Sequence, residues 1–236
     1  MIHQFILAAP KPGMTTQEFQ DYWVNVHAVK FAAKIPQIRR YLIDSRIPFA
    51  GDRGRPSLPH QGIAEIWLAN DEEQLASLQT EEFLHGARLD EPNWAAFWAT
   101  IVIDTDAHEI VPGTRPAVAE PSWVKVTTLI KRRPGLTLAD YRRRTLEEYA
   151  PVVSGLPGLR RHLHAHTRDG YYTFGEASFD SVEQIWFDDV AAAGEALASP
   201  YFAERVAPAL DAVADPAYVF SLTAREKWII GPQEER

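Results

Sequence analysis

The chain contains a second copy of itself. Lys11-Pro12-Gly13-Met14-Thr15 returns as Arg133-Pro134-Gly135-Leu136-Thr137, an offset of 122 residues, and Phe19 falls on Tyr141 at the same offset. Ile35-Pro36-Gln37-Ile38-Arg39-Arg40-Tyr41-Leu42 is answered at 121 by Leu156-Pro157-Gly158-Leu159-Arg160-Arg161-His162-Leu163. Glu65-Ile66-Trp67-Leu68 is answered at 119 by Gln184-Ile185-Trp186-Phe187, and Phe83 by Phe202. Order is kept and the offset drifts by three, so the fold must be built from two like units of roughly 110 residues.

Each unit opens on an apolar run rich in β-formers, His3 to Ala9 and Trp123 to Ile130, read as first strands. The Pro-Gly turn follows. Thr15 with Glu18, and Thr137 with Asp140, then have capping-box spacing and mark helix starts. Phe19, Trp23 and Val26 form an apolar stripe on the first helix, and Pro36 and Pro157 stop the helices. Second strands are expected over Ile38 to Ile43 and Leu159 to His166, and third strands over Gly62 to Leu68 and Ser181 to Phe187. A second helix follows in each copy, near Phe83 and Phe202. Last come fourth strands, over Ala99 to Ile103 or His108 to Val111, and over Val219 to Ile230. The order β-α-β-β-α-β makes the fold class α+β and each unit ferredoxin-like. Both helices on one face of a four-stranded sheet leave the other face bare. The two bare faces are expected to bury each other, closing one intramolecular pseudo-dimeric barrel. The expected divisions are a first repeat over 1–113, a proline-bearing linker over 114–121 and a degenerate second repeat over 122–232.

Composition narrows the function classes. Among 236 residues, 24 Lys and Arg face 32 Asp and Glu, giving a net charge of −8 that makes nucleic acid an unlikely partner. The two basic runs, Lys131 to Arg133 and Arg142 to Arg144, read as solvated faces, the second beside Glu147 and Glu148. The absence of cysteine removes disulfides, thiolate nucleophiles and iron–sulfur clusters. No leader pattern or membrane-length apolar run appears, so a cytoplasmic protein without membrane attachment is expected. Phosphate-binding glycine loops and the Gly-x-Ser-x-Gly motif are missing as well.

Several side chains could carry chemistry. His27 lies four residues after Trp23 and eight after Phe19, on the inward side of the helix, where an imidazole can exchange protons near neutral pH. Glu65 interrupts an apolar strand, on the same face as Ile63 and Trp67. It either joins an interface ion pair, with Arg39 or Arg40 for instance, or assists His27 as an orienting carboxylate. Tyr22, Trp23, Trp67, Trp94, Phe97 and Trp98 concentrate in the first copy as packing or as substrate-binding walls. His162, His164 and His166 share one strand face and, with Tyr149, line an expected second pocket. A metal is not expected there: same-face strand neighbours stand ~6.5 Å apart, and the one carboxylate near in sequence is Glu176.

Taken together, Lys11-Pro12-Gly13-Met14-Thr15, Phe19, Tyr22-Trp23, His27-Ala28, Ile35-Pro36, Arg39-Arg40-Tyr41 and Gly62-Ile63-Ala64-Glu65-Ile66-Trp67 resemble the EthD family of dimeric α+β barrel proteins. The resemblance covers essentially the whole chain, once per half. It weakens in the second copy, where Thr145 stands for Trp23, Tyr149 for His27 and Gln184 for Glu65. It implies a pocket between helices and sheet in each copy and chemistry without metal or organic cofactor. Similar barrels include cyclases, decarboxylases, isomerases, lyases, cofactor-free monooxygenases and more distant haem enzymes. The expectation is a cofactor-independent acid/base enzyme of lyase, cyclase, decarboxylase or isomerase type. Its substrate would be a small apolar or aromatic carbonyl, phenolic or polyketide-like molecule, with His27 and Glu65 catalytic. The alternatives are a non-catalytic binding or accessory protein and a cofactor-free monooxygenase, with a haem enzyme ranked lower. The working site is expected in the first copy, with a smaller or differently lined cavity at Tyr149. Association of two pseudo-dimeric chains is left open.

Overall fold

The computed structural model describes residues 1–114 and 118–231. Part of the expected linker, residues 115–117, and the last expected residue of the second repeat, 232, lie outside the described residues.

Among the described residues the first repeat contains β1 (Ile2–Ala8), helix α1 (residues 16–30), β2 (Arg40–Arg46), β3 (Gly62–Leu68), α2 (Asp71–Ser77), α3 (residues 82–90) and β4 (Ile101–Val111). The second contains β5 (Val124–Arg132), α4 (residues 138–153), β6 (Arg161–Thr167), β7 (Ser181–Phe187), α5 (Val190–Leu197), α6 (residues 202–211) and β8 (Ala214–Ile230). The first-strand and third-strand expectations coincide with observed strands to within two residues. The two alternatives for the fourth strand of the first copy prove to belong together: one strand runs unbroken to Val111. No described helix is long and apolar enough to cross a membrane.

The helices start where side chains satisfy the free backbone donors of the first turn. Thr15 Oγ1 accepts from Glu18 N at 3.2 Å while Glu18 returns the bond to Thr15 N at 2.9 Å. Thr137 and Asp140 repeat the first half of this arrangement at 3.0 Å, and Asn70 and Asp189 cap α2 and α5. Four of the helices also share a π-helical turn: Trp23–His27 in α1, Glu82–Ala87 in α3, Thr145–Tyr149 in α4 and Phe202–Val206 in α6. In α1 the turn is closed by Ala28 N donating five residues back to Trp23 O. Such one-turn expansions recur at functional sites.

All eight strands pair antiparallel into a closed barrel in the order β1-β3-β2-β8-β5-β7-β6-β4. Each repeat's last strand forms a seam with the other repeat: β8 with β2, where Asp44 faces Glu226, and β4 with β6, where Ala107 faces Ala165. Alternation sorts the strand residues into two layers. Phe5, Leu7, Ile63, Leu129, Val182 and Leu222 fill the barrel interior. Ala64, Ile66, Tyr41 and Ile43 face outward under α1, packed with Phe19 and Trp23. Val126 and Ile185 do the same in the second repeat under α4, packed with Tyr141 and Tyr149.

The connection between β2 and β3, residues 47–61, leaves its own repeat. Ile47 N donates to Thr223 O at 2.9 Å, Arg53 N donates to Ser221 Oγ at 2.6 Å, and Thr223 Oγ1 donates to Asp52 Oδ1 at 2.7 Å. These bonds tie a first-repeat segment to β8 of the second.

Candidate functional site

His27 ends the π-turn of α1, buried on the side facing the sheet. Its Nδ1 is 2.9 Å from Asp90 Oδ2 at the end of α3. Asp90 is itself buried and accepts two further bonds, from Tyr22 Oη at 2.8 Å and from Asn93 Nδ2 at 3.0 Å. Burial alone would raise its carboxyl, but the bonds from Asn93, Tyr22 and His27 outweigh that and hold it below the usual Asp range. Burial pushes the His27 imidazole the other way, below 6.5, opposed by Asp90. The neutral ring therefore presents Nδ1–H to Asp90 and keeps the lone pair of Nε2 free. His27, Trp23 and Trp94 line a cavity of about 100 Å³ with Glu91 and Phe97. The Trp94 ring lies 4.7 Å from the imidazole and 4.8 Å from the Trp23 ring.

Glu65 is not part of this site. It lies on the barrel-interior layer of β3 while His27 lies outside the sheet, so the expected approach of the two to one cavity is overturned by strand alternation. Its partners are His3 Nε2 at 2.7 Å, Gln184 and the ammonium of Lys125, which also sits 2.9 Å from both Asp44 and Glu226. The ion pair anticipated as the alternative reading exists, with a lysine of the other repeat in place of an arginine. Trp67 follows Glu65 into the barrel, stacked on His3 and Trp228, and so walls no part of the His27 cavity. Trp98 is 78% exposed on the 3₁₀ turn before β4. Trp23, Trp94 and Phe97 line the His27 cavity, whereas Tyr22 is tied to His27 through Asp90 and is not on the cavity wall.

In the second repeat the cavity is larger, about 400 Å³, so of the expected smaller or differently lined cavity it is the different lining that is found. It lies between α4, α5, α6 and the sheet, and the 47–61 connection contributes Phe49, Gly51 and Arg53 to its wall. Its wall carries the buried polar residues Thr128, Tyr149, Glu183 and Ser221, while His162, His164 and His166, expected to line it, do not. Tyr149 Oη donates to Glu183 Oε2 at 2.8 Å. Glu183 Oε1 is 3.0 Å from His162 Nε2 and 3.8 Å from His164 Nδ1. Burial would raise the Glu183 carboxyl, yet its histidine partners hold it down to about 2. Burial and the adjoining negative charge push the Tyr149 phenol well above its ordinary value, so it stays a donor. His166 leans away, to Thr145 Oγ1 at 2.8 Å.

Asp90 and Glu183 join the site residues from the structure alone. Asp90 sits in the charged run Arg88-Leu89-Asp90-Glu91, indistinguishable there from a solvated helix end. Glu183 had a signal: at the 119 offset it replaces Ala64, a charge where the other copy has a methyl.

The sequence profile of the EthD domain matches residues 11–97 and again 133–217. Among solved structures the chain is similar to an anthrone oxidase-like protein, at 12% identity and TM-score 0.66, over 97% of this chain and 93% of that one. It is also similar to a protein named provisionally as a monooxygenase from Fusobacterium nucleatum, at 9% identity and TM-score 0.60, over 97% and 92%. A third, named provisionally as a chlorite dismutase, gives 13% and 0.50 over 95% and 94%. At these identities the likeness is one of fold. No curated protein matches the chain closely in sequence.

Proposed function

Because the chain belongs to the EthD family and carries its domain twice, we propose that it is an acid/base enzyme that uses His27 as its base on a small, largely apolar carbonyl or phenolic molecule. The observation that carries this is the buried His27–Asp90 pair at 2.9 Å, on the wall of an aromatic cavity.

Asp90 fixes the tautomer and the plane of the ring, so Nε2 is the atom that takes a proton. A substrate carbon or hydroxyl beside a carbonyl would lose its proton to Nε2, and Asp90 would stabilise the imidazolium so formed. Tyr22 and Asn93 keep Asp90 in place while its partner changes charge. The imidazolium can return the proton to another atom, giving isomerisation or cyclisation, or to a leaving group, giving elimination. The second reading is cofactor-free oxygenation, because the electron-rich carbanion made by the same abstraction is the species that meets dioxygen. The fold shared with an anthrone oxidase-like protein favours keeping it.

Deuterium exchange into anthrone and 1,3-diketones, followed by NMR, tests the first step without knowledge of the product. His27→Asn should slow exchange by roughly 10²–10⁴-fold with the fold retained. Exchange surviving within about threefold would remove His27 from the role.

A further inference from the structure

The two repeats offer an internal comparison at one layer of the sheet. Under α1 the outward positions of β2 and β3 carry Tyr41, Ile43 and Ala64, all buried. The equivalent positions under α4 carry His162, His164 and Glu183, equally buried. The scaffold therefore packs with residues that bind nothing, and packing does not require the second repeat to bury two imidazoles and a carboxylate. Burying such groups is costly unless they are paired.

Pairing within the protein is incomplete. Among the described residues neither ring nitrogen of His164 has a hydrogen-bond partner, and Nδ1 stands too far from Glu183, at 3.8 Å, to make one. One donor atom from each of His162, His164 and Glu183 lies within 4.8 Å of the others. An ion ligated at about 2.0–2.2 Å sets its donors roughly 3.3–3.6 Å apart, so closure needs shifts of about an ångström. The surroundings resemble those that orient metal ligands. Ser154 Oγ, whose own hydrogen goes to Ala150 O, lies 3.3 Å from His162 Nδ1 and can accept its proton, leaving Nε2 for the ion. Tyr149 holds the far oxygen of Glu183.

We propose that His162, His164 and Glu183 bind a divalent first-row transition-metal ion in the second repeat, beside the 400 Å³ cavity. Two imidazoles and one carboxylate suit zinc or iron(II) and leave a coordination position unfilled by protein. Glu183 and Tyr149 belong to the cavity wall, so a molecule in the cavity would approach the ion past them. The site is separate from His27, and its failure would leave the proposed chemistry of the first repeat standing.

Tag-free, chelator-treated full-length chain, titrated with Co²⁺ and then Zn²⁺, should take up one ion per chain, with visible d–d absorption that Zn²⁺ abolishes. Glu183→Gln and His164→Ile should each weaken binding roughly 100-fold or more, beyond what loss of a supporting residue does. The triple graft His162→Tyr, His164→Ile, Glu183→Ala, which installs the first repeat's residues, should keep the wild-type circular dichroism and bind no ion. The proposal is overturned by a wild-type chain without saturable binding, or by a folded graft that binds within threefold of wild type. Should the graft misfold, unchanged Co²⁺ affinity in the isosteric Glu183→Gln overturns it equally.

Discussion

Lys125 of the second repeat places its ammonium 2.9 Å from Asp44 of the first, across the β2·β8 seam, with both side chains fully buried. The same nitrogen serves Glu65 and Glu226, so three carboxyl groups share one cation in the barrel interior. Lys125→Met should therefore cost about 3–5 kcal/mol in urea unfolding, since it strands buried charge. Burial pushes the Asp44 carboxyl well above 3.8, in spite of Lys125, whereas the pull of Lys125 and His3 holds Glu65 well below its ordinary value in spite of burial, so Asp44 takes up a proton far more readily than Glu65. Asp44→Asn should accordingly be tolerated far better than Lys125→Met. Equal losses for the two would contradict this distribution of charge.

In the proposed chemistry Asp90 acts through His27 and not on the substrate. Asp90→Asn should lower kcat by roughly 10–10³-fold while KM moves little, because the ring loses its fixed tautomer. The carboxylate also raises the imidazole against the effect of burial. Its removal should shift the acid limb of the kcat/KM profile to lower pH, an effect that a purely structural role would not produce.

Stability should fall on mild acidification. Burial holds His3, His27 and His60 below their ordinary 6.5. Between the folded value and 6.5 the unfolded chain binds more protons than the folded one, so this stability is fully present above 6.5 and is lost as pH falls through that window. Asp44, shifted upward, acts in the opposite sense, and so to a smaller degree do Asp52 and Glu91. Urea midpoints should decline from pH 7 to pH 5, and Asp44→Asn should steepen the decline. A midpoint that rises over this range would refute the balance.

Gly62 has no room for a side chain. A Cβ there would stand 2.8 Å from Asp44 O and 2.9 Å from the Trp23 ring. Gly62→Ala should cost about 1–3 kcal/mol and displace Trp23, which walls the His27 cavity. Thermal unfolding and a loss of exchange activity should report it together. Trp98→Ser, at an exposed position, should change stability by less than about 0.5 kcal/mol.

The repeat, the caps and the third strands could be read from residues because each depends on local spacing. Strand layers could not be fully assigned that way. Alternation puts Glu65 on one face with Ile63 and Trp67, but β3 is buried on both faces, so apolar alternation does not say which face meets the helices. That ambiguity joined Glu65 to His27 across a sheet that separates them. Asp90 depends on the docking of α3 against α1, a contact 63 residues apart in the chain. The carboxylate that meets His162 and His164 comes from the neighbouring strand, where i, i+2 spacing on one strand cannot find it.

The 47–61 segment, anchored on β8 and walling the second cavity with Phe49 and Arg53, has no obligation to be matched on the other side. In a barrel made from two identical chains, every substitution is installed twice, and a segment reshaped to suit one cavity reshapes its twin. Covalent fusion removes that coupling. Each cavity can then acquire its own cover, its own polar groups and its own tolerance for change, while the shared interior keeps both halves folded. Selection acting on such a chain sees two pockets on one scaffold, free to drift apart at independent rates.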